Sequence, residues 1–379
     1  MTAGPRVVVV ADAVGDLTGH QAAAEVAQGW SRTAPHVHLE VFASHGGGAG
    51  LPELVARSLD GTTHPVVVPG PLGEEVPAAL TYIYGEAGTT AYLDAAQVCG
   101  RQLVPADRLA DPAGLSSAGL ARLLELARGS GADRIVVSVG DLATHDAGMG
   151  LLQGLGAGTD LSGLARVRQE WGSAPLVLLT PDESTLLGFH GASAMLTERH
   201  GVAPAVSQRL ESETGAVTDR VNQVLPPARD LLTGLARRPE REPGSGAGGG
   251  VGYALQLLGA RTDTAARFLL DELGIRPRLR GALLVLVTDA YDSSTVHDGV
   301  VAESARAALE TATPTVVLAR EVAVGRREGM SLGVSGSYAQ RGDEGLAGLA
   351  ARVARTWTPP PAPSPPTAPP PAPAPGSVP

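Results

Sequence analysis

Three glycine-rich turns hold the residue types and spacing best suited to chemistry in this chain. The first is Ser44-His45-Gly46-Gly47-Gly48-Ala49-Gly50, and the second runs from Gly140 to Gly150. The third is Pro243-Gly244-Ser245-Gly246-Ala247-Gly248-Gly249-Gly250-Val251-Gly252. Glycine lets backbone amides approach an anion closely, and a helix N-terminus adds partial positive charge, so such turns suit phosphate. One such turn alone reads as a tight connection. Three of them, after strand-like runs or at helix starts, point together to a phosphate or nucleotide cleft. None is a Walker A loop, which needs a lysine, and the spacing is wrong for a Rossmann fingerprint.

The polar residues around these turns narrow the chemistry. Asp12 follows the apolar run Val7 to Ala11, at the strand end where open α/β sheets bind ligands. It is equally placed to cap the next helix. Asp146, in the second turn with Thr144, suits a metal ion or a hydroxyl, and equally a cap for a helix starting near Gly148. Asp182 and Glu183 follow the run Pro175 to Thr180, and Asp289 and Asp292 follow Leu283 to Val287. His45, His145 and His190 lie on loops without metal-ligand spacing such as His-Glu-x-x-His. No nucleophile-elbow pattern supports a hydrolase.

Composition removes other classes. The chain has no lysine, so all 29 Lys+Arg residues are arginines, and any mechanism needing a lysine on a phosphate is excluded. A net charge of -10 leaves no basic surplus for nonspecific nucleic-acid binding. The apolar runs are too short to cross a bilayer. No basic leader with a long apolar region opens the sequence, so no signal peptide is expected. The one cysteine, Cys99, allows no internal disulfide and suits a reducing cytoplasm.

The elements that would position these residues follow from periodicity. Val7 to Ala11, a helix over Gln21 to Trp30 with Thr18 near its N-cap, and Val37 to Ala43 form a βαβ unit of a parallel sheet. From Pro65 to Val104, short strands at Val66–Val68, Leu80–Tyr84 and Thr90–Leu93 favour antiparallel hairpins. A helix over Ser116 to Arg128, a strand over Arg134 to Val139, a short helix over Gly148 to Leu155 and a strand at Pro175 to Thr180 come next. Residues 204 to 238 read as helical, and Gly281 to Thr288 and Thr315 to Ala319 resume the parallel style. One domain inserted into another is therefore expected, with residues 1–50 and 260–357 in the first and 51–259 in the second. No internal repeat is present. Residues 358–379 are almost wholly Pro, Ala, Ser and Thr and should form an extended, disordered tail, either solubilising or docking an aromatic groove of a protein partner.

At this point the turns acquire a family likeness. The third resembles the Pro-Gly-x-Gly-Ala-x-Gly-Gly-x-Gly segment of type 1 glycerate kinases. The second resembles that family's Gly-Gly-Ser-Ala-Thr-x-Asp-Gly-Gly-Met-Gly segment, keeping Gly140, Ala143, Thr144, Asp146, Gly148, Met149 and Gly150. Gly70-Pro71-Leu72-Gly73 resembles its hairpin turn, and the pieces keep their order from about residue 6 to residue 356. The resemblance implies a Rossmann-like parallel-sheet domain plus an inserted mixed α/β domain. It also implies transfer of the γ-phosphoryl of ATP to a hydroxyl of D-glycerate, with Mg²⁺. It places Asp12, Asp182 and Glu183 as catalytic groups and Asp146 on the metal. Gly47, Gly48, Gly140, Thr144, Gly246, Gly249, Gly250 and Thr288 would surround the nucleotide.

The chain departs from the family at five places. Asp-Ser-Phe-Lys becomes Asp12-Ala13-Val14-Gly15, and Asp-Gly-Gly-Glu-Gly becomes Gly46-Gly47-Gly48-Ala49-Gly50. Gly-Thr-Gly-Glu-Leu becomes Gly119-Leu120-Ala121-Arg122-Leu123, and Asp-Asn-Pro-Leu becomes Glu183-Ser184-Thr185-Leu186 beside Asp182. In the last, Thr-Gly-Glu-Gly-Arg becomes Thr288-Asp289-Ala290-Tyr291-Asp292, and the Gly-Lys downstream loses its lysine. Inefficient phosphoryl transfer is expected, and the alternative is a pseudoenzyme that binds a metabolite or a protein.

Overall fold

The structure is a computed structural model that describes residues 5–172, 174–227, 229 and 234–360. The proline-rich tail expected from residue 358 lies outside the described residues from 361 onward.

Val7 to Val10 are apolar at every position, and a strand of that kind needs cover on both faces. Strand β1 (Arg6–Ala11) obtains it. Val7, Val9 and Ala11 pack against the helices Gly19–Thr33 and Gly345–Trp357, while Val8 and Val10 enter a second core. The first of those helices starts where expected. Thr18 is its N-cap, in a capping box with Gln21.

The remaining strands are β2 (His38–Ala43), β3 (Thr62–Pro69), β4 (Glu75–Gly85), β5 (Gly88–Asp94), β6 (Arg134–Ser138) and β7 (Leu176–Thr180). After them come β8 (Arg261–Thr264), β9 (Leu283–Tyr291), β10 (Thr315–Val322) and β11 (Val334–Ala339). One sheet, all parallel, has the order β11-β10-β9-β1-β2. The other has the order β3-β4-β5-β6-β7-β8, antiparallel from β3 to β5 and parallel from β5 to β8. This is a two-domain α/β fold, with the antiparallel hairpins where the sequence placed them. The second sheet runs on through β8, a few residues past position 260.

Both sheets share a core. Val8, Val10, Leu284 and Leu286 of the first meet Tyr92, Val136, Val177 and Leu179 of the second, with Phe268, Leu269, Val300 and Val301 among them. One polar knot lies in the same layer: Arg134 pairs with Glu272, Tyr92 donates its hydroxyl hydrogen to Glu272, and Arg134 sits 5.6 Å over the Phe268 ring.

The expected helix over 204 to 238 is shorter. It spans Pro204–Val224 and closes at Leu225, where Pro226 and Pro227 cannot continue an α-helical hydrogen-bond ladder.

Strand order fixes where a ligand belongs. In the first sheet β1 leads outward to β2, and β9 leads the opposite way to β10 and β11, so the switch point lies between β1 and β9. Asp12 follows β1, its backbone N–H bonded to the Val287 carbonyl at 2.9 Å, and Thr288 is the next residue along β9.

Candidate active site

The three glycine turns meet, and glycine is what permits it. A Cβ on Gly140 would lie 2.0 Å from the Gly47 carbonyl oxygen, so the first and second turns touch backbone to backbone. A Cβ on Gly249 would lie 2.1 Å from the Thr144 oxygen, which brings the third turn onto the second. Gly248, Gly249 and Gly250 hold φ of 61°, 63° and 100°, a left-handed run that other residues rarely adopt. Ala147 N–H donates to the Gly249 carbonyl at 3.0 Å and closes the junction.

Around this junction lies a cavity of about 310 Å³. Gly48, Gly140, Thr144, Asp182, Gly246 and Gly249 line it, with Asp141, His145, Arg199 and His200 at its polar positions. Gly47 and Gly250 stand behind the wall: Gly47 is wedged against Pro181 and Gly140, and Gly250 against Ala147.

Asp12 and Thr288 belong to the first sheet, Asp12 just after β1 and Thr288 within β9, and neither lines this cavity. The first turn links Asp12 to the cavity: Asp12 Oδ2 is the nearest group to Gly46, at 3.7 Å from a Cβ placed there, and Gly48 lines the cavity. Burial raises the Asp12 pKa above the ordinary carboxylate value, while His45 and the Ala13 amide, 2.8 Å from Oδ1, offset this only in part. Thr288 is buried and donates to the Ala290 carbonyl at 3.3 Å. Beside them Asp289 accepts from Gly15 N–H at 2.8 Å and from Arg320 at 3.1 Å. Asp292 caps the short helix Ser293–His297.

Two adjacent carboxylates part company. Asp182, 7% exposed, lines the cavity and accepts from Arg199 Nη1 at 2.6 Å and Ser184 N–H at 2.9 Å. Burial pushes its pKa up, but these donors outweigh burial and hold it below the usual carboxylate range. Glu183 turns the other way, 3.6 Å from Arg267, into a separate cavity of about 510 Å³ with Thr180 and Thr262.

Asp146 is committed to capping. Its Oδ2 accepts from Ser117 N–H at 3.0 Å, Ser117 Oγ at 2.9 Å and Gly150 N–H at 3.0 Å, and its Oδ1 from Gly148 N–H at 3.0 Å. Four donors occupy the lone-pair directions a cation would need. Among the described residues no group of three or more His, Cys, Asp or Glu is arranged to hold a metal ion.

The histidines divide. In His45, Nδ1 accepts from Gly47 N–H and Nε2 faces the Ala49 carbonyl, both at 2.9 Å, so the ring shapes its own turn. His190 stacks edge-on to exposed Phe189, away from the cavity wall. His145 is buried with Nε2 2.9 Å from Ser193 Oγ, and burial depresses its pKa to about 4, with Glu213 opposing only weakly.

That value makes a stability prediction. The folded pKa lies below the unfolded one, near 6.5, so the unfolded chain binds the extra proton between pH 6.5 and 4. Stability from this group is complete above pH 6.5 and is lost as pH falls, by about 2–3 kcal/mol at pH 4.5. Urea unfolding at pH 7 and pH 4.5 should show His145→Gln losing that much less than the native chain. Equal losses in both would show that His145 titrates normally.

Sequence reasoning missed two groups. Asp94, at the end of β5, accepts from Gly50 N–H at 2.8 Å and Ala96 N–H at 2.9 Å, so it ties the first turn to the second sheet. Burial raises its pKa to about 6. Arg199, in the last turn of the helix Ala192–His200, carries charge into the cavity of a chain without lysine. Its only sequence signal was a basic pair at a helix end, which reads as helix-dipole complementation.

Residues 7–344 match the profile of the Glycerate kinase family, and the chain belongs to that family. An uncharacterised protein of Mycobacterium bovis is 31% identical over 332 residues, covering 87% of this chain and 82% of that one. The Glycerate 2-kinase of Escherichia coli is 26% identical over 339 residues, covering 83% and 84%. A crystal structure given as glycerate kinase 2 from Salmonella typhimurium LT2 superposes with a TM-score of 0.70 at 24% identity, over 93% of this chain and 98% of that one. No helix among the described residues is long and apolar enough to cross a membrane.

Proposed function

We propose that the chain is a slow ATP-dependent kinase of small hydroxy acids, with D-glycerate the first to test. Nucleotide phosphates would enter the cavity between the glycine turns, and the acid would lie across the first turn, against Asp12. The observation behind this reading is the convergence of three glycine turns, each barred by neighbouring backbone from carrying a side chain, on one polar cavity. In-line phosphoryl transfer asks a protein mainly for positioning and charge neutralisation. Asp12, at the switch point with a raised pKa, is the group to take the acceptor hydroxyl's proton.

The rate should be low. Ala49 and Gly46 stand where the family pattern has carboxylates, and the chain has no lysine. Losing one charged contact of this kind typically costs about 10²–10³ in kcat. With Asp146 spent on backbone donors, the described residues do not fit a protein-held Mg²⁺, and no step here runs through one.

A second reading, a nucleotide-binding protein without turnover, is favoured by one fact: Asp182 is already engaged by Arg199. A thermal-shift titration of the full chain with ATP–Mg²⁺, ADP and D-glycerate tests what both readings share. A ligand at a hundred times its Kd should stabilise the fold by about 2.7 kcal/mol. No shift with any of them would remove both.

A further inference from the structure

We propose that Arg199 is the phosphate-binding cation of the cavity and that Asp182 serves to aim it. The inference rests on the reading that the cavity takes a nucleotide, and adds the group that neutralises it. In a chain without lysine, a side-chain cation on a phosphate is an arginine or a protonated histidine. Arg199 is the one arginine lining the cavity among the described residues. Of the two histidines there, burial keeps His145 neutral, and burial together with Arg101 and Arg199 pulls the His200 pKa down. At neutral pH the fixed positive charge on this wall is therefore Arg199.

Its geometry suits the task. The side chain is 49% exposed, and Nη1 holds Asp182 Oδ2 at 2.6 Å. The guanidinium makes no other hydrogen bond to the described residues, which leaves the rest of its planar fork for a bidentate contact with phosphate oxygens. Asp182 is fixed in turn by Ser184 N–H on its other oxygen, with a side chain only 10% exposed. A carboxylate held anionic and ion-paired is a poor proton acceptor and a good hinge for a guanidinium. Asp141 also lines the cavity, where it accepts from Ala49 N–H at 3.3 Å.

Isothermal titration of the full chain with ADP and with adenosine tests this. The native chain should bind ADP more tightly than adenosine. Arg199→Gln should weaken ADP by about tenfold to a hundredfold, the range for hydrogen bonds to charged groups, and leave adenosine within about threefold. Arg199→Lys should recover part of the loss. Asp182→Ala, which removes the acceptor that aims the guanidinium, should weaken ADP about tenfold and spare adenosine. If Arg199→Gln binds ADP like the native chain, the assignment is overturned while the nucleotide site stands. Equal loss of ADP and adenosine would mark Arg199 as structural and also overturn it. A native chain that binds no ADP would overturn the inference and the reading beneath it.

Discussion

Asp12→Asn is expected to lower kcat for phosphate transfer to D-glycerate by about a hundredfold or more, the contribution typical of a positioned general base. Nucleotide affinity should change little, because Asp12 is not among the residues that line the cavity between the glycine turns. Asparagine keeps an oxygen for the Ala13 N–H, so the local backbone survives the change. The pH dependence carries the sign. Because burial raises the Asp12 pKa, the acid limb of the native rate profile should lie above that of an ordinary aspartate, with activity falling as pH drops through it. The variant should lack that limb. Stability should move the other way. The folded chain holds this proton more tightly than the unfolded chain, so stability from Asp12 is lost as pH rises through its folded pKa. An uncharged asparagine at neutral pH is therefore expected to match or exceed the native thermal midpoint. A variant with native kcat would reduce Asp12 to a turn residue.

Gly249→Ala should cost about 3–5 kcal/mol or prevent folding, since a clash with backbone adds to a strained dihedral. The added methyl would stand 2.1 Å from the Thr144 oxygen and 2.6 Å from His145 Cα, at φ +63°. Gly131→Ala is the matched control: φ is +77°, but nothing lies within 4 Å of its Cβ position. That change should cost about 1–2 kcal/mol, the left-handed penalty alone. Chemical unfolding of both variants reads the difference directly. Equal costs would mean that the third turn moves aside freely, and the cavity would lose its rigid wall.

The two variants probe what was legible in the sequence and what was not. Val7 to Ala11 and Leu283 to Val287 announced buried parallel strands, because every position is apolar and both faces are covered. Arg261–Thr264 did not announce β8: a four-residue polar strand at a sheet edge has no pattern to read. The glycine turns were visible one by one, yet Gly249 and Thr144 are far apart in the chain, and only the folded sheet brings them together. Asp182 and Glu183, neighbours in sequence, looked like one acidic pair and face two cavities. Asp146 was readable as a metal ligand or a cap, and its four donors come from backbone and Ser117 that no local pattern predicts. Arg199 was hidden for the same reason: its meaning lies in Asp182, across a turn.

The most direct test of the account is product formation by the native chain with ATP, Mg²⁺ and D-glycerate, followed by ³¹P NMR. The account predicts slow, saturable appearance of a phosphorylated acid with matching ADP, absent in Asp12→Asn. Nucleotide binding with no phosphorylated acid over a long incubation would contradict it, and the chain would then be a binding protein built on a kinase fold.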